Sequence, residues 1–377
     1  MSTIYFDHNA TSPVLPVCVA RMVEVMTAPP GNPSAKHAAG QAAKRVQEQA
    51  RGELAAFLGA EPAELVFTSG GTEANHQAIL GALALQPMKR HVIASAVEHP
   101  STLALVEHLA RQGLRVTRLD VDADGLVAPE TLANALNPDT ALVSVLWANN
   151  ETGAIQPLDE LAPLVRAHGA LFHTDAVQAV GRLPVDVRAL PVDLLALSGH
   201  KFGAPPGIGA LYVRKGLKLP PLLHGHQERR RRAGTPNLPG IAALGAACAW
   251  LEPGVATLAG NALALRERLE RGLVANVPGA IVNAAGAPRL PNTSSVRFRG
   301  VDAEFVLDRL ERAGIYASAG SACTSDGTAP SHVLLAMGLD EEQALGTVRF
   351  SLGPDNTAEE VDRVVDTLAA LLAQRAA

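Results

Sequence analysis

The stretch Asp193-Leu-Leu-Ala-Leu-Ser-Gly-His-Lys201-Phe-Gly-Ala-Pro-Pro-Gly-Ile-Gly209 joins an apolar run suited to a buried parallel strand to a turn rich in glycine and proline. Lys201 stands where the run meets the turn, a place from which a side chain can face a cleft at the strand's carboxyl end. A partly desolvated ammonium there gives up its proton more readily, and the amine can then form a Schiff base with an aldehyde cofactor such as pyridoxal phosphate (PLP). Taken alone, the segment fits a surface lysine beside a loop equally well.

Outward from it the pattern alternates. Short runs at 64–67, 91–95, 115–119, 141–147, 171–174, 193–197 and 208–213 predict strands, with helical stretches such as 73–85, 101–111 and 157–168 between several of them. This implies an α/β fold with a mostly parallel seven-stranded sheet, helices on its faces and ligands at the carboxyl ends of its strands. Two helices precede the alternation, one over roughly 14–27 and one from an N-cap at Ser34 to about Leu58. After a helical run near 239–251 the texture changes. A charged helix at 256–276, a strand near 294–299, a helix at 302–313, a strand at 347–351 and an amphipathic helix from about 357 make a smaller α+β domain. The reading is a large domain over 13–255 and a small domain built from 1–12 with 256–377.

Composition narrows the function. A formal net charge of -5 over 377 residues gives no reason to expect nucleic-acid or membrane-surface binding. No apolar run approaches the roughly 20 residues that span a bilayer, and Met1-Ser-Thr-Ile-Tyr-Phe-Asp7 lacks the marks of a secretion signal. The 3 cysteines have no metal-type spacing, so no metal and a reducing, cytoplasmic setting are expected.

Other strand ends carry polar groups. In Thr68-Ser-Gly-Gly-Thr72-Glu-Ala-Asn75, Gly71 lets the backbone approach a phosphate, the helix N-terminus attracts its charge, and Thr72 adds a hydroxyl; a plain helix cap reads the same way. In His173-Thr-Asp175-Ala-Val-Gln178, a carboxylate against a pyridine nitrogen would keep that nitrogen protonated and make the ring an electron sink, with Gln178 on its phenolic oxygen. A carboxylate for other chemistry is the alternative. His99 follows a further strand end and can stack on a planar cofactor and move protons near neutral pH, or be structural. Asn149 and Arg349 suit a substrate carboxylate, although Arg349 also suits an ordinary ion pair. Cys323 lies in a small, polar, glycine-containing loop, which makes its thiol accessible, whereas Cys18 and Cys248 lie in apolar helical settings and read as structural.

The motifs occur in a fixed order: Phe6-Asp-His-Asn-Ala-Thr11, Gly31-Asn-Pro-Ser34, Thr68 to Asn75, Glu98-His99, Asn149-Asn-Glu-Thr-Gly153, His173 to Gln178, Ser198-Gly-His-Lys201, Arg232-Ala-Gly-Thr235, Gly320-Ser-Ala-Cys-Thr324 and Arg349-Phe-Ser351. Over nearly its whole length the chain thereby resembles the NifS/IscS-type cysteine desulfurases, of the class V aminotransferase group of fold-type I PLP enzymes. The resemblance implies PLP joined to Lys201, His99 stacked on its ring, Asp175 at the pyridinium and Gln178 at the phenolic oxygen. Gly71, Thr72, Ser198 and His200 would hold the phosphate, with Thr235 reaching in from the other subunit of a homodimer. Asn149 and Arg349 would take the carboxylate of L-cysteine. Lys201 would remove the Cα proton, His99 would move protons at the substrate thiol, and Cys323 would accept the sulfur as a persulfide while L-alanine leaves. A scaffold or carrier protein of iron–sulfur cluster or thiolation pathways would be the acceptor. The length of the Cys323 loop is similar to that of the IscS/NifS branch. Another class V enzyme, such as a selenocysteine lyase or an aminotransferase, is the alternative and would not need Cys323.

Two departures stand out. His224-Gly-His-Gln-Glu-Arg-Arg-Arg-Arg232 replaces a run of three glycines followed by Gln/His-Glu, with one glycine missing and His226 at another. Its arginines read as a solvated or intersubunit patch, or as a dock for an acidic partner or RNA. The sequence also ends soon after its last helix, where IscS-like members carry a tail that helps dock the iron–sulfur scaffold.

Overall fold

The computed structural model describes residues 3–320 and 329–376. Its central sheet has the spatial order Leu65–Thr68, Gly209–Val213, Leu194–Ser198, Leu171–Asp175, Thr140–Ser144, His91–Ser95, Arg115–Leu119. Only Gly209–Val213 runs antiparallel to its neighbours. Helices cover both faces, so every strand but Arg115–Leu119 is buried along its length, which is why these segments read as unbroken apolar runs. Arg115–Leu119 and Leu65–Thr68 are the two edge strands, and the exposed Arg115 and Arg118 of the former discourage pairing with another chain.

Period-two alternation sorts the side chains. Leu195 and Leu197 join one core with Leu54, Phe172, Leu244 and Cys248, while Leu194 and Ala196 join the opposite one with Val66, Ile79 and Leu211. The Thr140–Ser144 strand ends earlier than the predicted 147; beyond it the Leu146 N–H donates to the Glu98 carboxylate (2.6 Å), while the Val145 and Trp147 N–H groups still donate to the carbonyls of His173 and Asp175. Among the described residues no single helix is long and apolar enough to cross a membrane.

The 22-residue helix Val255–Asn276 leads to a second, antiparallel sheet in the order Ser318–Ala319, Thr347–Ser351, Thr293–Phe298, Ala280–Val282. The short strand Ile4–Tyr5 pairs with Ile315–Tyr316, and Ile4 and Phe6 are buried in a core with Leu269, Val296, Phe350 and Val361. The N-terminal Asp7–Thr11 turn is therefore held between this core and the large sheet.

Two local expectations need correction. The helix expected from Ser34 begins at Ala38, with His37 as N-cap, because Asn32 Oδ1 takes the Ser34 N–H and curls that segment into a turn. The run Arg229–Arg232 is not simply a solvated face: Arg232 pairs with Glu73 at 2.7 Å, and Arg229 and Arg231 donate to the carbonyls of Pro62 and Ala63. Glu228, Arg229 and Arg230 all have positive φ (46°, 57° and 64°), where side chains cost about 1–2 kcal/mol each relative to glycine. The Glu228 carboxylate offsets this by accepting from Gln47, from both Arg51 Nη atoms and from the Phe67 N–H.

Candidate active site

The carboxyl ends of the large sheet open into a cleft of about 300 Å³ lined by Gly71, Thr72, Asn75, His99, Asp175, Gln178, Ser198, His200, Lys201 and Arg349, among others. Each arrives for a local reason. Lys201 closes the single 3-10 turn Gly199–Lys201 that ends its strand, and its Nζ donates to the carbonyls of Asn9 (2.7 Å) and Ala10 (2.8 Å). Gly71 is the first residue of a 15-residue helix whose N-terminus faces the cleft, and a Cβ there would lie 2.7 Å from Val177 Cγ2. Asp175 ends its strand with both oxygens engaged: Oδ2 accepts from Asn75 Nδ2 at 2.5 Å and Oδ1 from the Val177 N–H at 2.9 Å.

His99 caps the helix Pro100–Arg111 through Nδ1, which accepts from the Ser101 N–H at 3.1 Å. That bond places the proton of the neutral ring on Nε2. Burial lowers its pKa; Asp175 opposes the shift, while Lys201 and His332 reinforce it. His200 is pushed down to about 4 by burial and by the charges of Lys201 and Arg182, so it too is neutral at pH 7. Arg349 is buried, donates to Asp7 Oδ1 (2.7 Å) and the Asn150 carbonyl (3.1 Å), and keeps a buried Nε without a partner.

Not every expected residue meets this cleft. The Asn149 side chain turns into its own loop, donating to the Val97 carbonyl and accepting from Glu151 and Thr152 N–H groups; Asn150 lines the cleft beside it. Thr235 lines a separate depression with Ser69, Arg232 and Asn237. Cys323 lies outside the described residues. Cys18 and Cys248 are free, buried thiols whose pKa burial raises. Among the described residues no three His, Cys, Asp or Glu side chains are grouped to hold a metal.

Several groups escaped the sequence reading. Asn75 was visible only as the end of a motif, one helical turn past Thr72. Glu98 is fully buried and its pKa is raised well above the usual value, by burial above all and also by Asp175, against the Leu146 hydrogen bond. Glu151 is buried beneath Gly320 and Ser331: Ser331 Oγ donates to its Oε2 at 2.5 Å, and a Cβ on Gly320 would lie 2.6 Å from the same oxygen.

Burial raises the Glu151 pKa from 4.5 to about 7, against the Ser331 hydrogen bond and the Arg349 charge. The folded chain thus holds this proton more tightly than the unfolded chain. The stabilisation is fully present below pH 4.5 and is lost as pH rises through about 7. Replacing Glu151 with Gln removes this dependence, so urea unfolding should shift in the variant's favour by on the order of 3 kcal/mol between acid and neutral pH. A stability difference that does not move with pH rejects the assignment.

The cleft fits PLP by its own chemistry. Its lining offers hydroxyls, an imidazole and a helix N-terminus, which suit a phosphate, together with a fixed carboxylate and an amine. The Oδ1 of Asn75 and the Oε1 of Gln178 are buried without partners, and the latter matches a phenol O–H.

The class-V aminotransferase family matches the chain over residues 4–364. A cysteine desulfurase of Gluconacetobacter diazotrophicus is 46% identical, covering 99% of this chain and 94% of its own. The cysteine desulfurase IscS of Methanosarcina thermophila is also 46% identical, over 97% and 91% of the two chains. Among solved structures, a NifS-like protein superimposes with a TM-score of 0.92 at 35% identity, covering 99% of this chain and all of that one. SspA in complex with cysteine gives 0.83 at 35% identity, over 94% of this chain and 100% of SspA.

Proposed function

Because the chain belongs to the class-V aminotransferase family and is a cysteine desulfurase, we propose that its cleft holds PLP on Lys201 and that Cys323 takes the sulfur. The observation that carries this reading is the meeting of Lys201, the doubly anchored Asp175 and the Gly71 helix N-terminus in one cleft. Bound there, the cofactor supplies an electrophilic carbon and an electron sink for charge developing at the substrate Cα.

The rest falls to the chain's own groups. Gly71 and Thr72 at the helix N-terminus, with Ser198 and neutral His200, receive the phosphate. Asp175, oriented by Asn75 and Val177, holds a proton on the ring nitrogen, and His99 covers the ring. Arg349 offers its unpartnered Nε to the substrate carboxylate, which limits rotation about Cα; Asn149 acts there by fixing the turn that presents Asn150. Lys201, its amine released when the substrate amine takes its place, removes the Cα proton. His99 takes the proton that the substrate thiol gives up as its sulfur is attacked. The Cys323 thiolate then bonds the substrate sulfur as the Cβ–S bond breaks; the electron pair stays with the carbon fragment, which gains protons and leaves as L-alanine.

Thr235 completes a partner's phosphate site in a homodimer, a reading supported by its place in a depression separate from its own chain's cleft. The persulfide passes to an acceptor protein in a reducing, cytoplasmic setting, for iron–sulfur cluster or thiolation chemistry. The test is incubation of the PLP-loaded protein with L-cysteine and no reductant. We expect alanine together with one added sulfur atom on the Cys323 peptide, and neither persulfide nor sulfide from Cys323→Ser. Alanine with an unmodified Cys323 would indicate a lyase without a covalent relay.

A further inference from the structure

A second cavity of about 120 Å³, which Lys201 also lines, lies between the start of the Pro16–Thr27 helix, the Val255–Asn276 helix and the segment after Ser351. Its walls are mainly apolar and include Leu15, Phe202, Trp250, Leu258 and Leu352. Two cations line it as well, Lys201 and the more deeply buried Arg182. Arg182 is only 8% exposed, and its Nη1 and Nη2 donate to the carbonyls of Gln178 and His8, both at 3.1 Å. Neither acceptor is charged. The guanidinium makes no ion pair within 4.0 Å among the described residues, in contrast to buried Arg51, Arg289 and Arg349, each of which meets a carboxylate.

Burial, with the like charge of Arg349 adding to it, lowers the Arg182 pKa to about 9, so the charge persists at pH 7. His8 adds no further charge beside it, because burial and Arg182 push that imidazole down to about 4 and leave it neutral. Its Nδ1 is buried and without a partner. Among the described residues the one carboxylate lining the cavity, Asp355, is exposed to solvent.

A buried cation without a counter-charge is costly unless an anion meets it. Asp355 favours a singly charged anion over a doubly charged one. The volume allows roughly half a dozen heavy atoms, by comparison with a dry cavity of about 150 Å³ that admits benzene. We propose that this cavity binds a small monocarboxylate with a short hydrocarbon body, its anionic end on Arg182 and its body against Leu15, Trp250 and Leu258. The site is separate from the cleft that takes L-cysteine, although Lys201 lines both.

The test is calorimetric titration of the PLP-loaded protein with butyrate, and with butyramide as its neutral counterpart, at fixed ionic strength. Butyrate should bind and butyramide should bind at least about 10-fold more weakly, as expected when a hydrogen bond to a charged group is lost. Arg182→Met should weaken butyrate by a similar factor, Arg182→Lys should retain part of the affinity, and Ala262→Phe, which fills the cavity from the opposite wall, should abolish binding. Arg349→Met should leave it unchanged. No heat at millimolar butyrate, or equal binding of the amide, overturns the proposal. So does affinity lost with Arg349→Met but kept in both Arg182→Met and Ala262→Phe, since that assigns the carboxylate to the catalytic cleft.

Discussion

Lys201→Ala, reconstituted with PLP, should turn L-cysteine over at least ~10³-fold more slowly than the parent, the scale on which positioned acid–base groups act. After borohydride reduction and peptide mapping, no lysine should carry the cofactor's mass. The amine of Lys201 has two tasks in the proposed reaction, anchoring the cofactor and moving the Cα proton, and no other group in the cleft combines them. His99 and His200 are the remaining bases, both with lowered pKa values, and neither can anchor an aldehyde covalently. The fold should survive, because Lys201 is not part of the apolar core and the buried Asn9 carbonyl keeps its hydrogen bond from Gln178 Nε2. A small primary amine added to the buffer should restore part of the rate by replacing the missing base. Undiminished turnover, or cofactor mass on a different lysine, would remove Lys201 from its assigned place.

How much of this was legible beforehand depended on the range of the interaction. Parallel strands flanked by helices bury both faces, so Leu194–Ser198 and Leu171–Asp175 announce themselves as apolar runs, and the residue that ends each run falls at the cleft edge. The class of the fold followed from that pattern. Elements below one or two turns did not: the three-residue strand Ala280–Val282 and the seven-residue helix Pro129–Ala135 depend on their neighbours for stability and leave no periodic signal. The same divide runs through the site. Lys201, Asp175 and Gly71 were visible because strand–turn–helix junctions are local. The bond from Asn75 to Asp175, 100 residues away, and the seat of Arg182 on the His8 carbonyl, 174 away, are products of tertiary packing. The run Arg229–Arg232 was legible only in part for a related reason: Arg229 and Arg230 are exposed as their charges suggested, while a buried Glu228 fixes the backbone beneath them.

Asp175→Asn should lower kcat by about 10²–10³-fold, the loss typical when one preorganised charge-stabilising group is removed from an active site. KM should change little, because the carboxylate acts on charge that develops only as the Cα proton leaves. The structure itself accommodates the change. Oδ1 can still accept from the Val177 N–H, and the introduced amide would face the Asn75 Nδ2 donor; Asn75 can turn over, since its own Oδ1 is buried and unpartnered, and then accept that amide. Stability should therefore stay within about 1 kcal/mol of the parent. The charge is what disappears. Without it the ring nitrogen loses the partner that keeps its proton, and the visible absorption of the bound cofactor should become pH-dependent near neutrality while the parent's does not. Glu98 offers no substitute, because its side chain is buried outside the cleft lining and burial disfavours its charged form. A variant that binds the cofactor and keeps kcat within a few-fold of the parent would show that charge stabilisation in this cleft does not depend on Asp175.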